Sequence, residues 1–266
     1  MHDNVAATKS LIAISSEIGV KSWLFVSSVS TMPTDINSPL DGTAAYGPIS
    51  DYGKSKMLAE KAFVEMQHKN PTSTSVSIIR PTVIYGPSDP EYTGIYRAVD
   101  NNIFRLIDGI YSGRFAIIGN GKTLKTTAYV KNFVQALIFL LKENRSGCEK
   151  YVYADQPPMQ TSDLVFIIRS LLGKKGLGMK VPLWLALPFA TLGDFLAQLT
   201  GINLPITKSR IETFNRSTNF LPTKLIELGF SFPYETEEAL SETVDWYLEL
   251  KKKHNKSFFF FSKDIE

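Results

Sequence analysis

A phenol and an ammonium stand four residues apart in SDYGKSKMLAEKAF, residues 50–63: Tyr52 and Lys56. Four residues along a helix is a rise of about 6 Å and nearly a full turn, so both side chains share a face. A tyrosine hydroxyl ordinarily titrates near pH ~10, too high for a base in neutral solution. A neighbouring ammonium favours the phenolate and brings that value down. A hydroxyl such as Ser28 can hydrogen-bond a substrate oxygen as negative charge develops on it. Together the three make a centre that moves a proton at a C–OH carbon. Such a centre needs a hydride partner, which proteins take from nicotinamide. The spacing alone occurs in many ordinary helices, so the case rests on what else meets this helix.

The pattern of the first half brings three segments together. MHDNVAATKSLIAISSEIG reads as an amphipathic helix with Asp3 or Asn4 near its cap and Gly19 at its stop. KSWLFVSSVS predicts a buried strand ending at Ser27 and Ser28. Residues 29–49, rich in Pro, Ser, Asp and Gly, form a loop. A helix follows from about Asp51 to His68, with Met57, Leu58, Ala62, Phe63 and Met66 as its apolar stripe. TSVSIIRPTVIYGP is a second buried strand, broken by Pro81 and closed by Gly86-Pro87. Helix, strand, helix, strand at this spacing implies a parallel sheet wound with right-handed crossovers. Ligands bind beyond the carboxyl ends of such strands. Ser28, the residues after Arg80 and the head of the Tyr52 helix all fall there.

Beyond residue 88 the character changes. RFAIIGNGKTLKTTAYV predicts two short strands around a Gly-Asn-Gly turn, then a helix over 131–143. EKYVYAD is another strand, and helices are expected over 161–172, 183–199, 205–214, 222–228 and 235–250. The expected architecture is α/β: a partial Rossmann-like parallel sheet with a smaller, mainly helical C-terminal substrate region. Its parts are residues 1–88, the interleaved region 89–250 and a basic and aromatic tail, 251–266.

Bulk properties exclude several functions. Hydrophobic content of 44% with 21% charged residues is ordinary for a globular chain, and a net charge of +3 is too small for a nucleic-acid binder. Part of that charge is Lys251, Lys252, Lys253 and Lys256, read as a solvated end, ahead of an unusual FFFF at 258–261. The single cysteine, Cys148, excludes an internal disulfide and fits a reducing, cytoplasmic compartment; its expected role is packing. Glycosylation triplets at Asn144, Asn215 and Asn255 lack a preceding secretory signal. The longest uncharged run, VPLWLALPFATLG, has 13 residues and two prolines, short of the ~20 that cross a bilayer. Buried and interface-seeking helices both fit it, and the buried one is the expectation. No metal site and no nucleic-acid partner are expected.

FVSS, then 24 residues from Ser28 to Tyr52, then YGKSKMLAE and IIRPTVIYGP, resembles the extended short-chain dehydrogenase/reductase family. The resemblance runs over almost the whole chain and includes NVAAT at 4–8, with Ala7 in place of the family's usual glycine. It implies that Ser28, Tyr52 and Lys56 are the catalytic trio. It also implies that Lys56, with Tyr52, holds the nicotinamide ribose, that Asn4 sits beside the active site and that Pro81 borders the nicotinamide. The later part is similar to nucleotide-sugar epimerases and reductases of polysaccharide gene clusters. There IGNGKTLKTTAYVKNFVQAL matches the segment that puts a basic residue, here Lys125, on the substrate diphosphate. Arg216 in NRSTNF is a weaker candidate for the same anion. The expected activity is NAD(P)-dependent 4-epimerisation or ketone reduction of a nucleotide sugar, and dimerisation through the Tyr52 helix is common in the family resembled.

The chain also departs from that family. The G-x-x-G-x-x-G turn that cradles a pyrophosphate is absent: Gly173, Gly176 and Gly178 follow a helix, and GNGK at 119–122 sits between strands. The chain begins where the family's nucleotide domain is half complete, roughly three β-α units or about 90 residues in. Met1 is then expected to be an internal methionine of a longer ancestor or a misplaced start. This polypeptide alone is expected to hold NAD(P) weakly. Val29 and Ser30 stand where dehydratases have Asp-Glu, which argues against elimination of water. Val83 stands where epimerases often have Asn, and RPTVIYGP also resembles the hydroxysteroid and dihydroflavonol reductase branch. An apolar hydroxy-ketone is therefore the alternative substrate, and a non-catalytic truncated paralogue the third reading.

Overall fold

A computed structural model describes residues 2–33, 39–69, 74–88, 102–143, 145–188, 190–191, 208, 211 and 215–254. In chain order the elements are α1 (His2–Glu17), β1 (Ser22–Val26), a 3-10 turn (Val29–Thr31), α2 (Asp51–Lys69), β2 (Ser75–Pro81) and β3 (Val83–Tyr85). Then come α3 (Asn102–Tyr111), β4 (Ala116–Ile118), β5 (Leu124–Lys125), β6 (Thr127–Tyr129), α4 (Val130–Glu143) and β7 (Gly147–Tyr153). The last are β8 (Met159–Gln160), α5 (Thr161–Leu171), β9 (Met179–Val181), α6 (Thr223–Glu227) and α7 (Thr236–His254). Of the helix expected over 205–214 only residues 208 and 211 are described, and the FFFF segment lies outside the described residues.

Two compact units form, and they interleave in sequence: Met1–Ile84, Thr126–Pro157 and Asn219–Tyr234 make one; Tyr85–Lys125, Pro158–Thr218 and Glu235–Glu266 the other. The first unit holds the parallel sheet, in the order β1-β2-β7, with Ser22 opposite Ser75 and Ser75 opposite Gly147. β2 is buried along its whole length, so its faces divide by the period of two. Val76 and Ile78 pack with Trp23, Phe25, Phe63 and Met66 on the α2 face. Ile79 points the other way, into Phe133, Ala136, Leu140, Tyr151, Tyr153 and Phe230.

Two helix patterns come out differently from their sequence expectation. On α2 the buried stripe is Ala59, Ala62, Phe63 and Met66, while Leu58 faces solvent and Glu60 is buried in its stead. On α1, Ile12 joins the core, whereas Leu11 and Ile14 are exposed, as is Ile18 just past its end. That helix packs on α2 beside β1, an edge strand of the described sheet, so only part of its apolar surface is covered. Cys148 packs partly against the Phe63 cluster, and burial pushes its thiol up to about 11, which leaves it protonated and inert.

In the second unit β4 and β5 do not pair with each other across the Gly-Asn-Gly turn. β4 runs parallel to β9 and β5 antiparallel to β8, because Gly119 and Gly121, at φ 87° and 75°, turn the chain without closing a hairpin. The chain stays helical through His254 rather than ending at 250. Lys251 is no solvated tail residue: its Nζ lies 2.9 Å from buried Asp108, which also accepts from Tyr247 at 2.6 Å.

Candidate active site

Two serines with different tasks follow β1. Ser27 extends the ladder, its N–H donating to the Ile79 carbonyl at 2.7 Å. Ser28 leaves the sheet and caps the 3-10 turn. Its Oγ accepts from the Ser30 N–H and donates to the Ser30 hydroxyl, both at 3.1 Å, and Thr31 Oγ1 donates to its carbonyl at 2.9 Å. The Ser28 hydroxyl is therefore held in place at the strand end.

α2 is pressed onto that turn. Ser50 Oγ accepts from the Gly53 N–H at 3.0 Å, satisfying one of the helix's open donors. Gly53 is required by contact: a Cβ there would lie 2.1 Å from the Ser30 carbonyl oxygen. Its missing side chain lets the first turn of α2, with Tyr52, sit directly against the Ser28 turn. One turn on, Lys56 Nζ donates to the Val26 carbonyl at 3.1 Å, 5.2 Å from the Phe25 ring centre and 6.0 Å from that of Tyr52. Burial pulls the Lys56 ammonium below the usual lysine range, with the charge of Glu60 opposing. Pro81 closes β2 at the same end of the sheet, paired with Tyr153. The structure thus gathers Ser28, Tyr52, Lys56 and Pro81 around the carboxyl ends of β1 and β2. Asn4 lies in the first turn of α1, and its side chain is outside the described residues.

Beneath this surface lies a pair that pattern reading passed over. Glu60 and Arg80 are both fully buried. Arg80 Nε and Nη2 reach the two Glu60 oxygens at 3.0 and 2.7 Å, a bidentate pair, and Ser27 Oγ donates to Glu60 Oε1 at 2.5 Å. The guanidinium faces the Tyr46 ring at 5.1 Å, and burial together with the Glu60 charge drives the Tyr46 phenol upward. Each member neighbours a site residue: Ser27 precedes Ser28, Arg80 precedes Pro81, and Glu60 is one turn past Lys56. The available signal was Arg80 itself, a charge inside a continuous apolar strand, which must be paired when buried.

Lys125 and Arg216 belong to the second unit. Lys125 Nζ donates to the Arg216 carbonyl at 2.7 Å, and burial lowers its ammonium to about 8. The next residues along both segments line a cavity of about 710 Å³, with Lys122, Lys180, Asn120, Asn215 and Ser217 in its wall.

A phenol, an ammonium and a hydroxyl at one sheet end suit the ribose and reacting ring of a nicotinamide dinucleotide. The fit stops there. The turn after β1 is the serine-capped one, and no described strand runs into a helix through a glycine-rich turn that would cradle a pyrophosphate.

Comparison with known proteins gives the family and the fold. A sequence model of the NAD dependent epimerase/dehydratase family matches residues 1–154. The chain is 32% identical over 255 residues to N-acetyl-alpha-D-glucosaminyl-diphospho-ditrans,octacis-undecaprenol 4-epimerase of Escherichia coli O157:H7, covering 96% of this chain and 74% of that one. It is 24% identical over 257 residues to UDP-glucose 4-epimerase of Vibrio cholerae, covering 94% and 70%. The crystal structure of UDP-glucuronic acid 4-epimerase from Bacillus cereus in complex with NAD shares the fold, with TM-score 0.67 and 17% identity over 93% of this chain and 68% of that chain. From its family match, its 32% relative and its parallel α/β sheet, the chain belongs to the NAD dependent epimerase/dehydratase family.

Proposed function

We propose that this chain carries the proton-transfer centre of an NAD(P)-dependent 4-epimerase or ketoreductase whose substrate is a sugar on a diphosphate. The observation that carries the reading is Lys56, whose Nζ is held by the Val26 carbonyl within 6.0 Å of the Tyr52 ring, at the strand end where Ser28 is capped. Tyr52 takes the proton from the sugar hydroxyl as that carbon becomes a ketone and returns one when it is reduced again. Lys56 offsets the charge left on the phenol oxygen, and Ser28 turns its hydroxyl proton from Ser30 Oγ to the ketone oxygen. A bound nicotinamide would lie against Tyr52, Lys56 and Pro81, with Asn4 nearby, and supplies hydride transfer. A cytoplasmic location belongs to the same reading.

The relatives differ in what their names put on the diphosphate: a nucleoside in one, a polyprenyl lipid in the other. Both share an anion that Lys125 suits, with Arg216 beside it. Incubating the enzyme and NAD+ with UDP-N-acetylglucosamine or with polyprenyl-diphosphate-linked N-acetylglucosamine, and following inversion at C4 by NMR, tests the reading. Unchanged sugar in both arms with NAD+ raised until its binding saturates would sink it.

Lys125 makes a pH prediction. With its ammonium lowered to about 8, the lysine is charged below that pH and neutral above it. An anion is bound by the charged form, so affinity for UDP should fall as pH rises through about 8. Calorimetry at neutral and alkaline pH checks this. Lys125→Met should bind roughly tenfold more weakly at neutral pH and lose the pH dependence. The same slope in both proteins would remove Lys125 from the anion site.

A further inference from the structure

The helical stretch 183–188 is apolar on both of its faces. Its inner side is accounted for: Ala186 and Leu187, with Ala190 beyond, pack against Ile118, Val181 and Ile211. Its outer side is not. Leu183, Trp184 and Leu185 are exposed, Trp184 to 74%, and Met179 just before them to 65%. A helix apolar all round belongs in a non-aqueous setting on both sides, and a run of exposed large apolar side chains marks a contact surface.

The charges around it state what kind of surface. From Leu164 to Gly193 the sequence has no Asp or Glu, and it has four basic residues: Arg169, Lys174, Lys175 and Lys180. Lys175 and Lys180 are exposed. The loop that presents Lys175 is built: Arg169 Nε donates to the Gly176 carbonyl at 2.6 Å and its Nη2 to the Lys175 carbonyl at 2.8 Å. Gly178 sits at φ 73°, a left-handed conformation that favours glycine. Lys174 Nζ is tied to the Tyr111 carbonyl at 2.9 Å. Along this segment an apolar ridge led by tryptophan follows exposed lysines, and no acidic residue stands between Leu164 and Gly193.

We propose that residues 179–185 dock this unit on an anionic lipid bilayer, with Trp184 and its leucine neighbours at the headgroup–acyl boundary and Lys175 and Lys180 on the lipid phosphates. A tryptophan, apolar in body and polar at its N–H, favours that boundary, and basic flanks add attraction to anionic lipid. The segment lies on the membrane and does not cross it; no described helix is long and apolar enough to span one. Lys180 also lines the 710 Å³ cavity with Leu183, so docking would bring the mouth of that cavity to the lipid surface. The inference stands without the sugar reading, because it concerns attachment and not turnover.

Co-sedimentation of the chain with vesicles of phosphatidylcholine, alone or mixed with phosphatidylglycerol, tests it. The chain should sediment with the mixed vesicles, less so as salt is raised, and the tryptophan emission should shift to shorter wavelength on binding. Trp184→Ser should weaken sedimentation about tenfold and abolish the spectral shift. Lys175→Glu with Lys180→Glu should remove the preference for the anionic vesicles. All these side chains are exposed, so circular dichroism and thermal midpoint should be unchanged and a loss of binding is not a loss of fold. A chain that stays in the supernatant with both vesicles overturns the proposal and leaves the patch to a protein partner. Binding that survives Trp184→Ser overturns it too, since the lysine-rich C-terminal segment would then carry the attachment.

Discussion

Tyr52→Phe should lower turnover by two to four orders of magnitude while leaving the protein folded. The size follows from the loss of a positioned proton donor and acceptor, worth roughly 10²–10⁴ in rate. The fold should be indifferent, because Tyr52 is 52% exposed and the substitution removes one oxygen from a half-solvated ring. Phenylalanine also keeps the ring beside the Lys56 ammonium, 6.0 Å from its centre, so Lys56 should hold its bond to Val26. The C4-inversion assay and a thermal melt on the same preparation decide it. A variant that retains turnover within tenfold of the parent would assign the proton transfer to another group.

The second large effect is on stability. Glu60→Gln should cost about 3–5 kcal/mol in urea denaturation, since it strands the fully buried Arg80 guanidinium without its counter-charge. Glutamine keeps the volume, so the loss reads the charge and not a cavity. The paired replacement Glu60→Leu with Arg80→Met should be milder than the single one, because no ion is then left alone in the core. A single variant within about 1 kcal/mol of the parent would show that the pair does not hold these elements together. Turnover should fall in the single variant as well. Glu60 ties Ser27, just past β1, to Arg80 on β2 from within α2, next to Ser28, Pro81 and Lys56. Loosening the pair frees the proton-transfer residues to drift from their common strand end.

Local pattern was enough to place much of this protein. The ends of β1, α2 and β2 follow from runs of neighbouring residues, and so does the shared face of Tyr52 and Lys56, because helical and strand periodicity are fixed by residues two to four apart. Parallel topology then placed Ser28 at the same sheet end, and the Y-x-x-x-K, FVSS and RPTVIYGP motifs pointed to the family. Other features depended on residues far apart in the chain. Glu60 and Arg80 are 20 positions apart, Lys125 and the Arg216 carbonyl 91, and each pair is made only when separate elements pack. That Gly53 admits the Ser30 carbonyl, that β4 and β5 pair with β9 and β8, and that Trp184 faces outward from an apolar run are likewise set by packing. The sequence by itself determined which chemical groups this chain holds and on which local elements they ride. The tertiary structure alone decided which distant groups meet, because contacts across the chain are chosen by the fit of whole surfaces and by the need to pair every buried charge.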